Sequence, residues 1–372
     1  MALLAAYAVP HPPLIVPAVG RGQETAIADT IAAYSEVARR VAAHRPDLIV
    51  ITSPHAPLYR DGFFIADTPE ETGSMAAFGQ PGERMTTRTD LPFAKDVATR
   101  LPLTDPDDVT AIDIEQLKAM VDEFIAKGGT YVDTAFVYHD GASETALREA
   151  LVERYPRNAY TLATKCLAWA CASKEEAQAC LPTSLERLGV DYIDYYLLHN
   201  LGGARTVKFD EYDMWNYVAK AKADGLVRHV GFSMHDGPET LDEILTAHPE
   251  VDFVQLQVNY LDWDDPVTQS ARCMEVAAAH GKPVIIMEPV RGGRLANLPE
   301  RGAAVLAAAD PDASQASWAY RYCLDLPGVL TVLAGASTLE QMQDNMRTFQ
   351  TRKPLMDEER SAIDGAIAAQ SR

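Results

Sequence analysis

From about residue 110 the chain alternates between stretches with apolar residues at helical spacing and short, nearly continuous apolar runs. The spacing predicts a helix over Ile114–Lys127, stopped by Gly128-Gly129, and then a strand over Tyr131–Ala135. A helix over Ser143–Arg154 precedes a strand over Tyr160–Lys165, and a helix over Lys174–Leu188 precedes one over Tyr192–His199. Further strands are expected at Val227–Ser233, Phe253–Asn259, Val284–Glu288 and Leu330–Ala334, each separated by a helical stretch. Such alternation builds βα units and a parallel sheet. The runs IDYYLL and VIIM carry no polar alternation, so both of their faces should be buried, as in a barrel. Seven strands follow residue 130, whereas a (β/α)8 barrel needs eight. The stretch ahead of the first helix, Leu101–Thr110, is rich in Pro and Asp and predicts a loop. The expected fold is therefore an α/β, TIM-type barrel that lacks or substitutes its first strand.

The first hundred residues have a different texture. A strand over Leu3–Val9 runs into Pro10-His11-Pro12-Pro13, and a helix is expected over Gln23–Ala43. A second strand, Leu48–Thr52, ends in Ser53-Pro54-His55, and the Gly-, Thr- and Met-rich stretch Glu70–Thr89 predicts a loop. This divides the chain into a partial α/β segment, 1–98, and a barrel, 99–372.

Composition narrows the function. With 47% hydrophobic and 23% charged residues the chain is globular in type. A formal net charge of −20 argues against nucleic-acid partners, which need basic surfaces, and leaves a small molecule as the expected partner. No segment suggests a membrane span. The opening Met1–Tyr7 lacks the basic flank of a signal peptide, so a cytoplasmic protein is expected. The five cysteines, Cys166, Cys171, Cys180, Cys273 and Cys323, include no CxxC pair, which disfavours disulfides and structural zinc.

Catalytic residues of such barrels sit at the C-terminal ends of strands. Asp133 and Tyr138 lie at and beyond one strand end, in YVDTAFVYHDG; Lys165 closes the next, and His199 the one after. An acid, a phenol, an amine and an imidazole thus aim at one mouth. The set suits carbonyl reduction, where hydride delivery leaves charge on oxygen that must be protonated. An unassisted phenol is a poor acid near neutrality, and an ammonium beside it eases proton release. Asp133 would hold Lys165 charged and oriented, and His199 would hydrogen-bond the carbonyl oxygen.

In these residues the segment from about 100 to 369 resembles the aldo-keto reductase superfamily. The resemblance implies Tyr138 as proton donor, with Asp133, Lys165 and His199 completing a tetrad, NADPH as cofactor, and a small carbonyl compound as substrate. It places Ser233, Gln257 and Asn259 near the nicotinamide carboxamide. The loop Glu288-Pro-Val-Arg-Gly-Gly-Arg-Leu295 offers glycines for close backbone approach and arginines for a pyrophosphate, which marks Arg291, Gly292 and Arg294. The stretch after Leu330–Ala334 opens a helix, a natural anion site, and the resemblance sets Ser337, Gln341, Asp344 and Asn345 around the adenosine half. Many family members carry a basic residue where this chain has Gln341, which weakens the preference for NADPH and keeps NADH in view. Relatives with similar DYIDYYLLHNL and MEPVRGGRL segments often continue into a cysteine-rich iron–sulfur tail; this chain ends at Arg372 without one, and no cluster is expected. Of the usual first strand only Arg100-Leu101-Pro102-Leu103 is recognisable.

The N-terminal YAVPHPPLIVPAVG and LIVITSPHAPLY resemble the start of the class III extradiol dioxygenase (LigB-like) family. His11 and His55 fall at strand ends, where two histidines and a carboxylate would hold a non-haem iron. In that family the carboxylate comes from downstream sequence absent here, so no metal site is expected. Two rivals to a reductase stay open on the sequence. One is a nicotinamide-cofactor-binding protein with little turnover, because its barrel is incomplete; the other is iron-dependent ring cleavage by the N-terminal segment.

Overall fold

In the computed structural model, which describes residues 16, 27–49, 69–75, 80–94 and 112–370, the chain falls into two units, Met1–Ala111 and Ile112–Arg372. The first contains helix α1 (Ala28–His44) and an antiparallel hairpin of β1 (Glu70–Met75) and β2 (Gln80–Arg88). The hairpin replaces the loop expected over Glu70–Thr89. Its pairing rests on cross-strand partners: Glu70 lies opposite Arg88, and the Thr72 and Thr86 hydroxyls hydrogen-bond at 2.8 Å. Met85 is 71% exposed, so an apolar residue here marks no buried face, and the alternation that betrays a half-buried strand is missing. The expected strand Leu3–Val9, most of Leu48–Thr52, the histidines His11 and His55, and Leu101–Thr110 lie outside the described residues.

The second unit begins with α2 (Ile114–Ala126), capped by Asp113, whose carboxylate accepts from the Glu115 and Gln116 amides. Seven parallel strands follow in chain order: β3 (Tyr131–Asp133), β4 (Thr161–Cys166), β5 (Ile193–Leu201), β6 (Val227–Met234), β7 (Phe253–Gln257), β8 (Val284–Met287) and β9 (Val329–Val332). Between them run α3 (Ala142–Leu147), α4 (Lys174–Leu188), α5 (Ala204–Glu211), α6 (Met214–Ala223), α7 (Pro238–Ala247), α8 (Ser270–Ala279), α9 (Glu300–Ala309) and α10 (Gln315–Leu324). The chain closes with α11 (Leu339–Thr351) and α12 (Asp357–Gln370). The strands make a nearly closed barrel whose two edges are β3 and β9; no strand among the described residues joins them. The helix expected over Ser143–Arg154 is α3 followed by a π-turn, Arg148–Val152. Helix α4 shows how the sequence sets its ends. The Ser173 hydroxyl accepts from the Glu176 amide, Glu176 reaches back to the Ala172 amide, and Gly189 at φ 68° ends the helix.

The strands pack apolar side chains on both faces. Outside, they meet the helices in a large cluster that includes Leu162, Tyr196, Leu198, Phe232, Val254 and Ile286. Inside, Ala163, Leu197, Phe253 and Ile285 fill the barrel. Gly231 lies on the same inner layer, in register between Leu197 and Phe253, and the packing leaves it no room for a side chain. A Cβ there would sit 2.5 Å from the Phe253 carbonyl oxygen and 2.7 Å from its ring. Gly231→Ala should therefore destabilise the barrel by about 1–3 kcal/mol, measured by urea unfolding, the usual cost of overpacking.

A smaller cluster of Leu306, Trp318, Leu355, Ile363 and Ala366 docks the last helices. There Arg321, itself buried, donates to Glu359 Oε2 at 2.6 Å, while Lys353 and the Met356 amide reach the same carboxylate at 3.0 and 2.9 Å. Burial pushes the Glu359 carboxyl up, but these donors outweigh it and hold it at about 2. A carboxyl depressed in the folded state stabilises it above the unfolded value of 4.5, and that stability is lost as pH falls from there towards about 2. Glu359→Gln should cost about 3 kcal/mol at neutral pH. The gap to wild type in denaturant titrations should close through that acid window.

Candidate active site

The period of two along each strand decides what lies above the inner apolar layer. Two residues beyond Ala163, Leu197, Gly231, Phe253 and Ile285 come Lys165, His199, Ser233, Gln255 and Met287. A mostly polar layer thus caps the apolar one at the C-terminal ends of five successive strands. On β3, Asp133 shares the register position of Ala163.

Lys165 has no exposed surface. Its ammonium donates to Asp133 Oδ1 and, at 2.7 Å, to the Thr134 carbonyl. Burial raises the Asp133 carboxyl above the ordinary carboxylate range, against the pull of the Lys165 charge. Tyr138 begins the 3-10 turn Tyr138–Gly141 beyond β3, and its side chain remains 38% exposed. Lys165 Nζ lies 4.9 Å from the centre of the Tyr138 ring. The imidazole of His199 meets that ring edge-on, with centroids 6.0 Å apart. Burial, helped by Lys165 and His235, depresses His199 to about 3, so its ring is neutral at physiological pH. The four tetrad candidates are thus in mutual contact, as a chain Asp133–Lys165–Tyr138–His199.

The residues expected at the nicotinamide are placed differently from one another. The Ser233 hydroxyl accepts from the Asn200 amide at 2.9 Å, where the left-handed Asn200 (φ 58°) interrupts the β5 ladder. Gln257 sits at the rim; its amide donates to Asp262 and its oxygen faces His235. Asn259 is buried, donates to Asp262 and the Glu288 carbonyl, and holds the Leu261 and Asp262 amides. Arg291 completes this group with an ion pair to Asp262 at 3.0 Å. Gly292 and Gly293 take positive φ in the turns that follow, and Arg294 is exposed.

The adenosine candidates form a second group. Thr338 caps α11 by accepting from the Gln341 amide, and the Gln341 side chain accepts from the Ser337 amide at 2.7 Å. Asp344 is bound by Ser314 and Arg347, and Asn345 donates to the Gly335 carbonyl.

Three residues at the mouth escape the sequence argument. Gln255 is 3% exposed, and its Oε1 has no hydrogen-bond partner among the described residues. It lies one step deeper than Gln257 on the same strand face. Asp262, fully buried, gathers Gln257, Asn259 and Arg291; a carboxylate three residues past Asn259 in a loop gives no sign of that. Trp169 flanks the mouth and donates to the His199 carbonyl at 2.9 Å. Among the described residues, no His, Cys, Asp and Glu groups are arranged for a metal, and no helix is long and apolar enough to cross a membrane.

Comparison with known proteins identifies the family. The model of the aldo/keto reductase family matches residues 103–368, and that of the catalytic LigB subunit of aromatic ring-opening dioxygenase matches residues 5–102. An aldo-keto reductase of Mycolicibacterium vanbaalenii is 31% identical over 240 residues, covering 64% of this chain and 78% of that one. A protein of Clostridium acetobutylicum is 36% identical over 85 residues, 23% of this chain and only 18% of its own length. Among solved structures, an aldo-keto reductase from Bacillus halodurans in its holo form superposes with a TM-score of 0.56 at 26% identity, over 69% of this chain and 89% of that one. One from Klebsiella pneumoniae in complex with NADPH gives 0.55 at 23% identity, over 70% and 87%. The chain is thus an oxidoreductase of the aldo/keto reductase family that carries a LigB-like segment ahead of its barrel.

Proposed function

We propose that the chain reduces an aldehyde or ketone to the alcohol with a nicotinamide cofactor, NADPH ahead of NADH, and that Tyr138 donates the proton. The observation that carries this reading is the contact chain from Asp133 through Lys165 to Tyr138 and His199. The cofactor supplies the hydride when bound. Everything else falls to the protein. Lys165, held in place by Asp133 and the Thr134 carbonyl, stabilises the phenolate that remains once Tyr138 has given its proton to the carbonyl oxygen. His199, neutral, orients that oxygen by a hydrogen bond rather than acting as the acid.

The mouth suits such a cofactor. Gln255 Oε1, Asn200 Oδ1 and His199 Nδ1 are buried with no hydrogen-bond partner among the described residues, which is costly unless a bound group completes them. Gln255 and Ser233 would hold the carboxamide, with Asn259 bracing the rim through Asp262. Ser337, Gln341, Asp344 and Asn345 would hold the adenosine half, and Arg291, Gly292 and Arg294 the pyrophosphate. A second reading, cofactor binding with little turnover, draws on the gap between β9 and β3, which no strand among the described residues fills, and on the exposed Tyr138. The two separate in one experiment. Purified protein is titrated with NADPH and NADH by fluorescence, then assayed for cofactor oxidation across reactive aldehydes and ketones. Tight binding of NADPH with carbonyl-dependent oxidation is expected; binding without oxidation selects the second reading.

A further inference from the structure

Glu144, on the six-residue helix α3, has no exposed surface, although nothing in the proposed chemistry uses it. A buried carboxylate is expensive unless paired and hydrogen-bonded, and this one is both. Its Oε1 accepts from the Thr164 hydroxyl at 2.7 Å, and Thr164, also fully buried, immediately precedes Lys165 on β4. Its Oε2 pairs with Arg187 of α4 at 3.4 Å. The same guanidinium donates to the Phe136 carbonyl at 3.1 Å and lies over the Phe136 ring at 4.2 Å. Phe136 in turn donates its amide to the Lys165 carbonyl, two residues before Tyr138. One carboxylate and one guanidinium therefore clamp the Tyr138 turn to the strand that carries Lys165.

We propose that Glu144 and Arg187 are positioning residues, setting the distance between the Tyr138 phenol and the Lys165 ammonium. The inference rests on the roles proposed above for Tyr138 and Lys165. A displacement of about 1 Å between reacting groups costs on the order of a hundredfold in rate. Neither residue touches the reacting atoms, so cofactor affinity should be indifferent to them.

The test uses the full chain, with Tyr138→Phe as reference. In Arg187→Gln, kcat should fall about ten- to hundredfold while the Kd for NADPH moves by less than about twofold. That split of kcat from Kd marks a displaced phenol, since a general loss of structure would weaken NADPH binding as well. Arg187→Lys keeps a charge beside Glu144 but loses the planar guanidinium that lies over the Phe136 ring, and should rescue stability without rescuing kcat. Thr164→Val removes only the hydroxyl link to β4 and should shift kcat the same way by a smaller factor. If Arg187→Gln does not fold, those two variants decide. Wild-type kcat in folded Arg187→Lys and Thr164→Val, beside a Tyr138→Phe slowed at least about a hundredfold, overturns the positioning role alone. A wild type no faster than Tyr138→Phe removes both the positioning role and the reductase reading beneath it.

Discussion

Tyr138→Phe should lower carbonyl-dependent turnover by about 10²–10⁴-fold, the range over which a positioned proton donor acts. The substitution deletes one oxygen and keeps the ring that lies 4.9 Å from Lys165 Nζ, so the surrounding packing has no reason to change. NADPH affinity should stay at the wild-type value, because in the proposed reaction the phenol meets the substrate oxygen and not the dinucleotide. Steady-state kinetics with a saturating aldehyde, together with a fluorescence titration of NADPH, measure both quantities. Lys165 is a poorer first target. Removing a fully buried ammonium leaves Asp133 an uncompensated carboxylate, so lost folding would be hard to separate from lost catalysis.

A large loss of stability away from the site is expected at Asp194, 3% exposed on β5. One oxygen accepts from Arg157 at 2.5 Å and from the Leu162 amide at 2.9 Å; the other accepts from Arg228 at 3.0 Å. The two guanidiniums stack on the Tyr192 ring at 4.1 and 4.0 Å. Both arginines keep some contact with water, so their charges are not stranded by loss of the acid. The buried Leu162 amide is, and an orphaned donor costs about 1–3 kcal/mol. With the lost charge-assisted bonds, Asp194→Ala should destabilise the barrel by about 3 kcal/mol, or roughly 6–12 °C in Tm. Asp194→Asn keeps an acceptor for Leu162 and should lose less. Thermal melts of the pair give the comparison, and equal losses would place the cost in the ion pairs instead.

The sequence discloses the elements best where burial is two-sided. The runs at Tyr192–His199 and Val284–Glu288 lie within two residues of β5 and β8, because a short, continuous apolar run bounded by polar residues fits a strand covered on both faces. Helix α4 runs over the predicted Lys174–Leu188, since Ser173 and Gly189 mark its ends chemically. The hairpin Glu70–Arg88 is illegible for the opposite reason: its described side chains face solvent, and cross-strand pairs such as Thr72 with Thr86 are visible only once the strands are paired. At the site, strand-end logic finds Asp133, Tyr138, Lys165 and His199 because each is an ionisable group at or just beyond the end of a strand. It passes over Gln255 for Gln257, since the two share a face and only depth in the barrel separates them. Glu144 and Arg187 read as ordinary helix charges, and their pairing joins residues 43 apart.

The central claim is hydride transfer at this mouth, and isotope transfer tests it most directly. Purified protein is mixed with NADPH carrying deuterium at both positions of its hydride-donating carbon and with a reactive aldehyde, and the alcohol is analysed by mass spectrometry. One deuterium on the carbinol carbon is expected, formed by wild type and at least about a hundredfold more slowly by Tyr138→Phe. Alcohol without deuterium, or no alcohol from folded protein that binds NADPH, would contradict it.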